Sequence, residues 1–337
     1  MFVGQATGLP PLWNTETGGS AIGVFGLMDQ GANNGRGLIP APPTAWTRIF
    51  AGWEEPVPVT LDELINIKSQ PDGKSYKIQI NAEEYFLIEN RTNWFRSNVS
   101  IDSARFAVFE RIDETPLTIE IIFDSVGIHR DENGVVVSVP DYDIGLPGSG
   151  LLIWHVDEAE ISKRIGSNTV NNMPERKGLD LEEADGPQDI GHPTDNLFVD
   201  LSSGYFSDMW FQGNSWYYDL YPVKEGEPLE FTPFTHPNTG SNNGALSFYS
   251  INDIGEPSDT MSFAVSNSRM PNMLPDTSLF IRFQSDLDGD GILEFIGGRK
   301  DLWWARDDLK NRIYWYNSFH DTIDVLLTQY DSISKSV

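Results

Sequence analysis

Tyr76-Lys-Ile-Gln-Ile80 and, four residues on, Tyr85-Phe-Leu-Ile-Glu-Asn-Arg91 decide the fold class. The first alternates apolar and polar side chains, the pattern of a strand with one face in water. Similar short runs, rich in β-branched and aromatic residues, lie on either side at 57–61, 105–111, 117–123, 135–139 and 151–156. Pro71-Asp-Gly73 and Glu132-Asn-Gly134 supply turns between some of them. After a polar, loop-like stretch at 162–178, further short strands reach Met261-Ser-Phe-Ala-Val265. Many short strands at such spacing predict a mainly β chain built on an antiparallel β-sandwich.

Outward from this centre the pattern changes. Residues 1–55 are rich in Gly and Pro, and Thr44-Ala-Trp-Thr-Arg-Ile-Phe-Ala-Gly-Trp53 follows Pro42-Pro43 with apolar residues at helical spacing. A short amphipathic helix is expected there, at the end of something larger. Residues 56–266 form the β-rich unit, 267–278 a Ser/Asn/Pro-rich linker, and 279–337 a further partial unit opened by an acidic loop.

Composition narrows the function. With 50 Asp and Glu against 23 Lys and Arg, the net charge of −27 repels phosphates, so nucleic acid is not expected as a partner. No apolar run approaches the length of a membrane span. The chain has no cysteine, which removes disulfides, thiolate zinc sites and Cys-based catalysis. Its first ten residues lack a basic segment followed by an apolar one, so any export signal is expected outside this chain. A Gly-x-Ser-x-Gly elbow, a phosphate-binding Gly-x-x-x-x-Gly-Lys-Ser/Thr loop and a dinucleotide-binding Gly-x-Gly-x-x-Gly after a strand are all absent.

Asp286-Leu-Asp-Gly-Asp-Gly-Ile-Leu-Glu294 places carboxylates at loop positions 1, 3, 5 and 9, with Gly at 4 and 6. Oxygen ligands at alternate positions around a tight Gly turn suit calcium. Asp286, Asp288, Asp290 and Glu294 are the expected side-chain ligands, and Ile292 offers its carbonyl. With its β-type flanks, the loop resembles one FG-GAP/VCBS propeller repeat.

Five phrases in order are similar to the accessory region of secreted M6-type (immune-inhibitor-A-like) metalloproteases. They are Tyr85-Phe-Leu-Ile-Glu-Asn-Arg91, Leu146-Pro-Gly-Ser-Gly-Leu-Leu-Ile-Trp-His-Val-Asp-Glu158, Leu179-Asp-Leu-Glu-Glu-Ala-Asp-Gly186, Phe234-Thr-His-Pro-Asn-Thr239 and Met261-Ser-Phe-Ala-Val265. The resemblance implies a remnant of a metzincin-like catalytic domain over 1–55, with Met28 in the Met-turn, an extracellular location, and extracellular proteins or peptides as partners. It also makes Asp157, Glu182 and Asp185, with Glu183, a second calcium site; the other reading is solvated loop carboxylates with one Asp capping a turn.

The parent family's zinc chemistry needs His-Glu-x-x-His on a helix, the Glu acting as general base on metal-bound water. Counted back from Gly8, the two His positions fall on Met1 and Gln5, the Glu on Phe2 and the third ligand on Pro11. Phe, Gln and Pro can neither hold zinc nor accept the proton. His155 reads as a structural histidine at a packed sheet edge, and His129, His192, His236 and His320 show no ligand spacing. Three functions follow: a metallopeptidase homologue without an intact active site, a calcium-stabilised β module for adhesion or substrate binding, or an active peptidase whose zinc helix lies upstream.

Overall fold

The computed structural model describes residues 2–37, 40–70, 72–93, 129–133, 136–138, 143, 145–192, 201–267, 279–285, 294–299, 313–317 and 322–327. Fifteen strands are found among them: β1 (Val57–Pro58), β2 (Leu64–Lys68), β3 (Tyr76–Gln79), β4 (Glu84–Arg91), β5 (His129–Arg130), β6 (Val136–Ser138), β7 (Gly150–Asp157), β8 (Leu179–Leu181), β9 (Leu229–Phe231), β10 (Tyr249–Ile254), β11 (Thr260–Asn267), β12 (Leu279–Ser285), β13 (Glu294–Arg299), β14 (Ile313–Asn317) and β15 (Thr322–Leu327). Four short α-helices accompany them: α1 (Phe2–Ala6), α2 (Ala45–Phe50), α3 (Glu158–Arg164) and α4 (Ser215–Leu220). Strand exceeds helix, as the alternation in the sequence leads one to expect.

Two sheets position the site. The first has the order β1-β3-β4-β7-β8, the second β2-β11-β10-β9. The first is mixed rather than wholly antiparallel, because β1 and β3 run parallel with Val57 opposite Tyr76. Parallel neighbours need a crossover, and here the chain between them leaves to form β2 in the other sheet.

All eight residues of β4 and all eight of β7 are buried. A sheet covered on both faces reads as an unbroken apolar run, which accounts for Tyr85-Phe-Leu-Ile88 and Leu151-Leu-Ile-Trp154. Tyr85, Leu87, Leu152, Trp154, Val156, Leu179 and Leu181 pack with Leu12, Ile22, Phe25, Met28 and Trp46 of the N-terminal segment. Ile78, Phe86, Ile88, Leu151 and Ile153 share the opposite cluster with Ile65 and Ile67 of β2, Phe231 of β9, Ile251 of β10 and Phe263 of β11. The edge-on Phe86–Phe231 pair, with ring centroids 5.3 Å apart, joins the two sheets.

A buried ionic network ties the N-terminal segment to β4 and β7. Glu89 accepts from Trp154 Nε1 at 2.8 Å and Arg48 Nη1 at 2.9 Å, and more distantly from Arg91 Nη1 and Ala45 N, both at 3.3 Å. Arg91 also donates twice to Asp143 Oδ1, at 2.8 and 2.6 Å. Burial alone would raise the Glu89 carboxyl, but the guanidinium groups of Arg91 and Arg48 hold it below its ordinary range.

Several expectations change. The expected strand at 57–61 shrinks to Val57–Pro58, and β2 follows instead, burying Ile65 and Ile67 on alternate positions. Pro58 has no N–H for the ladder and so limits the pairing. The stretch at 162–178 is not all loop. Asp157 caps α3 by accepting from Glu160 N, with Glu158 and Glu160 in the first turn and Lys163 and Arg164 in the last, all favourable to the helix dipole. The helix expected after Pro43 forms as α2, its Thr44 side chain accepting from Thr47 N. The runs at 105–111 and 117–123 lie outside the described residues, as do positions 135 and 139 of the run that supplies β6. Among the described residues, no helix is long and apolar enough to cross a membrane.

Candidate metal centre

Glu183 and Asp185 leave the end of β8, and Asp208 closes a 3₁₀ turn at Phe206–Asp208. The two segments are joined by the Ala184 N–H, which donates to the Asp208 carbonyl at 3.0 Å. One carboxylate oxygen from each of Glu183, Asp185 and Asp208 then lies within 4.8 Å of the others. Glu183 and Asp208 are buried side chains. Glu183 accepts from Asp189 N and Ile190 N, at 2.8 and 3.0 Å. Asp208 accepts from Tyr205 N at 2.6 Å, and Asp185 Oδ2 accepts from Ser207 Oγ at 2.7 Å. Asp185 Oδ1, itself buried, has no hydrogen-bond donor while Asp208 is ionised; a protonated Asp208 would donate to the Asp185 carboxylate.

Among the described residues none of the three carboxylates forms an ion pair. Burial pushes Glu183 up to about 8, against the pull of the two N–H groups. Burial, then the neighbouring Asp185 and Glu183, raises Asp208 well above the ordinary carboxylate range. Three acids crowded together in a low-dielectric site must hold protons or share a cation. An all-oxygen donor set selects a hard cation, and calcium takes oxygens at about 2.3–2.6 Å. Oxygens within 4.8 Å of one another can straddle one such ion. The residues fit calcium.

The second calcium set expected from the sequence does not gather. Asp157 is committed to capping α3 and to Asn242 Nδ2 and Arg176 Nη2, at 2.9 and 3.3 Å. Glu182 turns to His155, and of that set only Glu183 and Asp185 reach the cluster. Asp208 was missed: it stands 23 residues beyond Asp185 in a chain with 50 acidic residues, and no local spacing marks it. Of the loop at 286–294, Asp286, Asp288, Asp290 and Ile292 lie outside the described residues, while Glu294 opens β13 opposite Ser285 of β12.

His155 is buried, but not at a sheet edge: β7 runs between β4 and β8. Its Nε2 lies 3.1 Å from Glu84 Oε2 and its Nδ1 3.1 Å from Glu182 Oε1. Burial would lower its pKa, yet the two carboxylates raise it to about 9, so both ring nitrogens donate at neutral pH. Glu84 in turn is held down to about 2: burial opposes ionisation, and His155 and the Asn242 N–H outweigh it. His155, His192 and His236, scattered in sequence, line one cavity of about 440 Å³.

Two of the zinc-ligand positions of the resemblance, Gln5 and Pro11, come together, while Met1 lies outside the described residues. Gln5 and Pro11 line a cavity of about 220 Å³ with Gly8, Leu9, Pro10, Phe50, Ile165 and Asn168. That lining includes no His, Cys, Asp or Glu, so its donor set does not fit zinc. Met28 is buried against Gly4, where a Cβ would come within 2.8 Å of its sulfur. No family model, no curated protein and no solved structure matches the chain.

Proposed function

We propose that the chain is a non-catalytic homologue of the secreted M6-type metalloproteases, a β-sandwich accessory region carrying the remnant of a catalytic domain and stabilised by calcium. The observation that carries this reading is the buried Glu183–Asp185–Asp208 cluster with its unpartnered Asp185 oxygen. Glu183, Asp185 and Asp208 hold the ion, and the ion supplies positive charge that offsets their repulsion; it carries no reaction. The lining around Gln5 and Pro11 supports the absence of zinc-dependent proteolysis. An extracellular location follows from the same reading, because free calcium there suits sites of modest affinity. The role left to such a chain is binding, with an extracellular protein or peptide as partner.

The test is thermal unfolding of the whole chain in EDTA and in millimolar calcium. A cation that binds only the folded state at about 100 times its Kd adds about 2.7 kcal/mol, so calcium raises Tm by several degrees. Asp208→Asn removes most of that rise. An Asp208→Asn chain that keeps the full calcium-dependent rise sinks the proposal, as does proteolysis by the purified chain with stoichiometric zinc.

A further inference from the structure

The cavity beside His155 holds charged groups of two kinds. Its cations are committed: both ring nitrogens of His155 face carboxylates, and Lys177 Nζ donates to Asp180 Oδ1 at 2.6 Å and to the Ile190 carbonyl at 2.8 Å. Its anions are not. Asp180 Oδ2, Glu182 Oε2 and both oxygens of Glu175 accept no hydrogen bond from any described residue, although all three residues line the cavity. The cavity therefore offers four acceptor oxygens against the one N–H that Lys177 keeps beyond its two bonds, which disfavours an anionic ligand.

These carboxylates do not converge within 4.8 Å as a compact metal site does; the one such group among the described residues is Glu183, Asp185 and Asp208. Acceptors spread around a wall suit a planar donor with several N–H groups pointing in different directions. A guanidinium has five in a fixed fork, whereas an ammonium is a compact point charge. A volume of about 440 Å³ is within the range of small-ligand sites. The net charge of −27 also draws cationic partners toward the surface.

We propose that this cavity is an arginine-recognition site, taking the guanidinium of an exposed arginine on a partner peptide or protein. Asp180 and Glu182 accept from the guanidinium inside the cavity and Glu175 from its rim. The His155 imidazolium, clamped by Glu84 and Glu182, fixes the Glu182 carboxylate in place.

Calorimetric titration of the whole chain with N-acetyl-arginine methylamide tests this, with the citrulline analogue as an uncharged isostere. The arginine compound is expected to bind at least about tenfold tighter than the citrulline one, the least that a charge-assisted hydrogen bond contributes. Glu175→Gln, an exposed change that leaves the fold alone, and Asp180→Asn should each weaken binding about three- to tenfold. Asp208→Asn, which is not among the residues lining the cavity, should not, so failure here and failure of the calcium reading are separable. Equal binding of citrulline, no saturable binding of either compound, or binding indifferent to both cavity variants overturns the proposal. So does saturable zinc binding lost in His192→Ala with His236→Ala, which makes the cavity a metal site.

Discussion

Glu89→Ala tests whether the N-terminal segment and the central sheet are one cooperative structure. The side chain is fully buried and receives Trp154 Nε1, Arg48 Nη1, Arg91 Nη1 and Ala45 N. Arg91 keeps Asp143 and Arg48 keeps the Pro43 carbonyl when Glu89 is removed. The Trp154 and Ala45 N–H groups lose the acceptor described here. An orphaned buried donor costs about 1–3 kcal/mol, and breaking a buried ion pair by removing one partner costs about 3–5 kcal/mol. The Trp154 donor lies within the same network, so the two figures overlap and the expected total is about 3–5 kcal/mol. Glu89→Gln keeps an oxygen for Trp154 and loses only the charge, so it should cost about 1–3 kcal/mol. Urea unfolding followed by tryptophan fluorescence reads both, with a lowered midpoint and an unchanged slope. A Glu89→Ala loss below about 1 kcal/mol would refute the reasoning, because so small a cost means the network is not formed.

Further outcomes follow from the same side chains. In EDTA, stability should fall as pH rises from 4.5 toward about 8, because Glu183 holds its proton more tightly folded than unfolded; saturating calcium should flatten that slope, and an unchanged slope counts against the site. The His155 clamp stabilises fully below pH 6.5 and is lost as pH rises through about 9, so His155→Gln should flatten the alkaline part of the stability curve; a mutant curve of unchanged shape refutes the clamp. Gly23 has φ +69° and a Cβ there would meet the Ser203 carbonyl oxygen at 2.5 Å, so Gly23→Ala should cost about 2 kcal/mol or more by urea melt, and a neutral result contradicts the packing of this turn. Asp288→Asn should remove one calcium from the binding stoichiometry while leaving the Asp208-dependent melting shift intact; loss of that shift would show one site rather than two.

What could be read from the residues divides by range. β4 and β7 were legible because burial on both faces turns them into continuous apolar runs. α2 was legible from Pro43, Thr44 and the apolar spacing that follows. β2 is hard to read because Leu64-Ile-Asn-Ile-Lys68 is short and half polar, although its period of two is plain once it is paired with Phe263's strand. α3 is less legible because its cap, Asp157, reads equally as a metal ligand. At the site, the acidic phrase after β8 holds two of the three clustered carboxylates. Asp208 and Glu84 reach their partners through tertiary folding alone, one across a turn and the other across a strand pair. The three histidines around the cavity escaped for the same reason, since no local period connects 155, 192 and 236.

Anomalous scattering from crystals grown with calcium, or soaked with a lanthanide in its place, measures most directly whether Glu183, Asp185 and Asp208 share one hard cation. A peak about 2.3–2.6 Å from an oxygen of each, absent in Asp208→Asn crystals, is the expected result. Density at saturating cation that leaves these carboxylates bare, with Asp185 Oδ1 still unpartnered, would contradict it.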